Sequence, residues 1–133
     1  MGRVFFNTRK NVHNLTVAYT VLESDSGKVF MVDSAAGAYE ITMPTTVANL
    51  EGFHCKFITK EDTPTGDVTI AFGSAIVDGW SDDATADIGV GTAKSNILLR
   101  ATCTQGDYVN IFTDGSTYYA EAISGIDDAI DFS

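Results

Sequence analysis

The side chains with the most chemical potential in this chain are two histidines, His13 and His54, two cysteines, Cys55 and Cys103, and an acidic loop carrying Asp78, Asp82, Asp83 and Asp87. Nucleophilic catalysis needs a Ser, Thr or Cys beside a general base. His13 falls in the N-terminal arm, and His54 alternates with Phe53 and Cys55, which turns it away from the core those two would join. There is no Gly-x-Ser-x-Gly elbow, so the spacing points to no hydrolytic triad. Both cysteines lie in strand-like segments outside any Cys-x-x-Cys turn and read as small buried hydrophobes. A disulfide between them requires neighbouring strands, and zinc requires four closely spaced ligands. The acidic loop could gather around calcium, but it lacks the alternate-residue ligands and distal Glu of a helical calcium loop. A solvated acidic loop is the simpler reading. Gly89-Val90-Gly91 lacks the strand-to-helix setting of a phosphate loop. The expectation is a protein with no catalytic residues, no metal and no cofactor.

Aromatic side chains offer a different chemistry. β-Sandwich modules hold sugars on exposed aromatic faces, and Trp80, Tyr118 and Tyr119 are the candidates for such a platform. If residues 117–122 form a strand, one of the two adjacent tyrosines must point outward. The competing reading makes Trp80 a plug at the end of the sandwich.

The elements that would position these residues follow a period of two. Leu15, Val17, Tyr19 and Val21 alternate with smaller or polar residues, as do Tyr39, Ile41 and Met43, then Phe53, Cys55 and Phe57, then Val68, Ile70 and Phe72. Segments 29–32, 97–99 and 108–112 are apolar on both parities and read as central strands or as strands covered by another chain. Asp25-Ser26-Gly27 reads as a turn joining strands 15–23 and 28–33, and further turn signals recur about every ten residues. Pro44 to Leu50 reads as one short helical crossover, and residues 73–94 as a long loop or a pair of short edge strands. The resulting expectation is one all-β domain over residues 1–133, an antiparallel, jelly-roll-like β-sandwich with at most one short helical turn. An N-terminal arm of about residues 1–13 and a C-terminal tail of about 123–133 flank it.

The chain has 133 residues, 18 acidic against 8 basic, for a formal charge of −10. Such a body repels phosphate backbones and anionic lipid surfaces, which argues against nucleic acid and membrane as partners. No apolar run reaches the 18 residues of a membrane span, and Met1-Gly2-Arg3-Val4-Phe5-Phe6 lacks the pattern of a secretory signal. The two ends differ in charge. Val4, Phe5 and Phe6 sit beside Arg3, Arg9 and Lys10, whereas Ile126, Ile130 and Phe132 are interleaved with Asp127, Asp128 and Asp131. Either both ends fold back on their own sandwich or they reach onto neighbouring subunits, where opposite charge would favour pairing between chains.

Taken in order, Leu15-Thr16-Val17-Ala18-Tyr19-Thr20-Val21-Leu22, Ser26-Gly27-Lys28-Val29-Phe30, Tyr39-Glu40-Ile41-Thr42-Met43-Pro44, Leu50-Glu51-Gly52-Phe53, Asp67-Val68-Thr69-Ile70, Gly106-Asp107-Tyr108-Val109 and Asp114-Gly115-Ser116-Thr117-Tyr118-Tyr119 resemble small β-sandwich decoration (cement) proteins of tailed-phage capsids and related tail-fibre domains. The resemblance covers residues 15–120 and carries over no functional residue position by position. It implies a non-enzymatic virion protein on the capsid surface, homotrimeric, with the major capsid protein as partner. Neither a repeat nor a heptad segment for a fibre shaft is present, which favours the cement role. In that role Val4, Phe5, Phe6, Arg9, Lys10, Ile126, Ile130 and Phe132 make the capsid and subunit contacts. The alternative role is a receptor- or carbohydrate-binding module of a tail fibre or baseplate, built on Trp80, Tyr118 and Tyr119.

Overall fold

Alternation commits a segment to a strand but leaves its partner and its direction of pairing open. In a computed structural model, which describes residues 9–61, 64–84 and 88–133, the strands are β1 (Val12–Leu15), β2 (Tyr19–Thr20), β3 (Val29–Val32), β4 (Tyr39–Thr42), β5 (His54–Thr59), β6 (Val68–Ala71), β7 (Val77–Asp82), β8 (Ile88–Lys94), β9 (Asn96–Leu99), β10 (Tyr108–Thr113), β11 (Tyr118–Ile123) and β12 (Ile130–Phe132). They build two sheets, one of seven strands ordered β1-β3-β5-β10-β11-β7-β8 and one of five ordered β12-β9-β6-β4-β2. The inward rows of both sheets share one apolar core.

The sheets are mixed, which corrects the expected antiparallel, jelly-roll-like arrangement. Of the ten pairings among the described residues, five are parallel and five antiparallel. Parallel neighbours need a crossover between them, commonly a helix. Here each crossover passes through the opposite sheet: β1, β3 and β5 lie in one sheet and β2, β4 and β6 in the other. Residues 12–71 therefore wind as three short rungs of a two-sided solenoid. The rungs stack in register, Val12 beside Val29 beside Lys56 on one side and Tyr19 beside Ile41 beside Ile70 on the other. Only later do sequential hairpins appear, β7–β8 and β10–β11.

Two local expectations change accordingly. Segments 15–23 and 28–33 are not a turn-linked pair, because β2 leaves for the other sheet while β1 pairs with β3. The single helical turn lies at Glu23–Asp25 and not at Pro44–Leu50. Asp25 builds it: its buried carboxylate accepts hydrogen bonds from the Leu22 amide (2.8 Å), the Tyr19 hydroxyl (3.0 Å) and Lys28 Nζ (2.5 Å). Burial opposes the charge, but these three donors outweigh it and hold the carboxyl below its ordinary pKa. Within residues 73–94, β7 and β8 pair antiparallel at the margin of the seven-stranded sheet.

The C-terminal tail folds back on its own body. β12 pairs with β9, and Ile130 and Phe132 are buried, so neither is available as a contact to another subunit. Phe132 lies under β7 and β8 where the sequence supplies glycine. A Cβ on Gly79 would stand 2.3 Å from the Ala120 carbonyl and 2.9 Å from the Phe132 ring, and one on Gly91 would stand 2.5 Å from Phe132 Cβ. Glycine at these two positions is thus a condition of the sheets closing over the last aromatic residue.

Cys55 points inward from β5, and Cys103 lies in the β9–β10 turn, not in a strand; both are buried free thiols. Burial pushes the Cys103 thiol up to about 12 and raises that of Cys55 as well. The folded protein is therefore expected to consume almost no Ellman's reagent at pH 8 and to release two equivalents of thiol per chain in guanidinium. Rapid labelling of either cysteine in the native state would contradict this packing.

Candidate functional site

The outer faces of the two sheets differ in kind. Across the five-stranded sheet the outward row Asp131, Leu98, Thr69 and Glu40 is largely polar. Across the seven-stranded sheet the outward rows carry large aromatic side chains. Strand register sets two of these rows side by side. One runs His54, Phe112, Tyr119, Asp78, and the other Lys56, Asn110, Glu121, Trp80, Val90. They line a groove of about 930 Å³ that crosses the strands from β3 to β8.

The exposed aromatics are its floor. Trp80 is 40% exposed, Tyr119 42% and Phe112 47%; Phe112 and Tyr119 lie with centroids 6.5 Å apart and planes 29° from parallel. Polar groups stand among them. Asn110 Nδ2 donates to Glu121 Oε1 (3.0 Å), and Asp78 Oδ1 accepts from the Ala93 amide (2.6 Å). Lys56 Nζ sits 3.9 Å from the centre of the Tyr108 ring, a cation–π contact that restrains the ammonium. Flat apolar faces beside donors and acceptors are what a sugar ring requires, since one side of a pyranose is C–H and its rim is hydroxyl.

Tyr119 is fixed from below by the β10–β11 turn. Asp114 Oδ1 accepts from the Ser116 and Thr117 amides (2.8 and 3.0 Å) and the Ser116 hydroxyl (2.7 Å), while the Tyr119 hydroxyl donates to Asp114 Oδ2 (3.3 Å). These bonds, led by the Thr117 amide, draw the Asp114 carboxyl down to about 2. The negative charge of Asp114, with partial burial, raises the Tyr119 hydroxyl above its ordinary range, so it remains a donor at neutral pH. Because the carboxyl pKa is depressed on folding, the turn's contribution is whole above the unfolded value of about 3.9 and is lost as pH falls through the folded value. NMR titration should show the Ser116 and Thr117 amides shifting with a midpoint near 2; a midpoint near 4 would mean the turn does not hold this carboxylate.

The sequence-expected residues distribute unevenly over this picture. Trp80 and Tyr119 meet in the groove. Tyr118 does not belong to the platform: it is 0% exposed, packs on Phe72 at 4.9 Å and donates its hydroxyl to the Pro44 carbonyl at 2.8 Å. Phe112 and Val90 complete the face and were not expected, although strand alternation through Val109 and Ile111 places Phe112 outward. Lys10 lines the groove and Arg9 is exposed. Val4, Phe5 and Phe6 lie outside the described residues. Ile126 is exposed near the base of β12, whereas Ile130 and Phe132 are core. Among the described residues no three His, Cys, Asp or Glu side chains converge as metal ligands; Asp87 of the acidic loop is outside them. No known family model matches the chain, and no curated protein matches it.

Proposed function

We propose that the chain is a non-catalytic binding module of a virion, and that of the two roles its phage resemblance implies it fills the receptor- or carbohydrate-binding one, as part of a tail fibre or baseplate. The observation that carries this reading is the groove on the seven-stranded sheet, where register aligns Trp80, Tyr119 and Phe112 with Asn110, Glu121 and Asp78. A face spent on solvent alone would not expose three aromatic rings in adjacent strands. On a glycan array at neutral pH, specific hits are expected, and soluble forms of the hits should quench the fluorescence of the single tryptophan, Trp80. An array without hits and an unresponsive Trp80 would overturn the reading.

The capsid-decoration role keeps one specific support. The first rung of the solenoid is an edge in both sheets, and it exposes Val12, Val17 and Leu22 next to Arg9 and Lys10. Such an edge with a basic arm suits docking on a shell, and a homotrimer on the major capsid protein would use it. Deleting residues 1–9 is then expected to abolish binding to empty phage heads while the circular dichroism spectrum stays unchanged. Full binding by the truncated chain would exclude the arm.

A further inference from the structure

We infer that the groove selects anionic glycans, bearing a carboxylate or a sulfate ester, with the acid group at its β3–β5 end and the uncharged rings on Trp80 and Tyr119. The inference rests on the glycan-binding reading above and adds to it the class of ligand and its direction.

Cations are scarce in this chain. Of 8 Lys and Arg side chains in a protein of formal charge −10, Lys10, Lys28 and Lys56 line this one groove. All three stand on the side of β3 and β5, whereas Asp78 and Glu121 stand across it on β7 and β11. The groove is therefore polarised along its length. Lys28 is committed, its ammonium 2.5 Å from Asp25. Among the described residues neither Lys10 nor Lys56 has a carboxylate partner within ion-pair distance. The two acids, by contrast, are engaged as acceptors by Asn110 and Ala93.

Geometry and screening decide whether a net-negative body can hold an anion there. Neighbouring strands stand about 4.8 Å apart, so Lys56 on β5 is about 10 Å from the Tyr119 strand and about 14 Å from the Trp80 strand. A short oligosaccharide spans that distance. The screening length at physiological salt is about 8 Å, so repulsion from the rest of the protein is largely suppressed while contact with an ammonium is not. Lysine is a point charge without the planar fork of arginine, which is why carboxylate and sulfate are both admitted. A ligand in the reverse direction would bring its acid against Asp78 and Glu121.

The test uses the full chain on an array holding neutral, carboxylated and sulfated glycans, followed by titration of the best acidic hit against its neutral counterpart, the methyl ester or desulfated form, in 0.15 M salt. The acidic form is expected to bind about tenfold more tightly or better, and Lys56→Gln should shrink that acidic-to-neutral ratio about tenfold. Lys10→Gln should act in the same sense. Equal affinities for the acidic and neutral forms, or a gap that survives both substitutions, would overturn the anion preference and leave glycan binding standing. Hits confined to neutral glycans would do the same. An array without hits, or hits indifferent to Trp80→Ala, would overturn both.

Discussion

Replacing Phe132 by alanine is expected to destabilise the protein by about 3–5 kcal/mol, the cost of emptying a large aromatic site in a core that cannot collapse around it. The site cannot collapse because its roof is backbone. Gly79 and Gly91 bring β7 and β8 directly onto the ring, and the Ala120 carbonyl stands where a Gly79 Cβ would be. Against a domain stability of about 5–15 kcal/mol, this one substitution takes away a large share of the total. Urea denaturation with an unchanged slope would measure it. The outcome also separates two meanings of the tail. Were Phe132 a handle for another subunit, the isolated chain would lose less than about 1 kcal/mol, as surface substitutions do.

Trp80→Ala combined with Tyr119→Ala is expected to abolish measurable glycan binding while changing stability little. Exposed aromatic anchors at the centre of a contact carry about 2 kcal/mol or more each, roughly thirtyfold in affinity for one and far more for the pair. Both rings project outward from β7 and β11 and leave the core untouched. The adjacent tyrosine supplies the internal control. Tyr118→Phe removes the hydroxyl bonded to Pro44 and should cost about 1 kcal/mol of stability with no loss of affinity. Isothermal titration with an array hit and thermal unfolding together check the contrast. Retained affinity in the double variant, or lost affinity in Tyr118→Phe, would move the site off this face.

Much of this arrangement is legible in the residues, and the limits have physical causes. Period-two alternation locates β4, β5 and β6, because a strand with one face on the core must alternate. It also turns His54 outward and shows that only one of Tyr118 and Tyr119 can face solvent, without saying which. That choice is settled by Phe72 and the Pro44 carbonyl, which come from distant parts of the chain. Alternation carries no information on pairing direction, so the parallel rungs of β1 to β6 stay hidden, and turn chemistry suggests hairpins where the chain crosses between sheets. The Gly- and Asp-rich segment of β7 and β8 resembles a loop partly because two of its paired inward positions, Gly79 and Gly91, are glycine. Those two glycines are required by Phe132, far along the chain. The tail's pattern suits either role, since Ile130 and Phe132 alternate with Asp131 as an edge strand must. Two cations of the groove, Lys28 and Lys56, lie in separate rungs and meet only through the Val29–Lys56 register.

The proposed binding role puts ligand on the outer face of the seven-stranded sheet. Two-dimensional NMR of the labelled chain during titration with an array-selected glycan locates it, because Trp80 gives the one indole N–H signal. Shifts are expected at that indole and along β5, β10, β11 and β7, with β9 and β6 silent. Perturbations centred on the five-stranded sheet, or an indole signal that does not move at saturation, would contradict it.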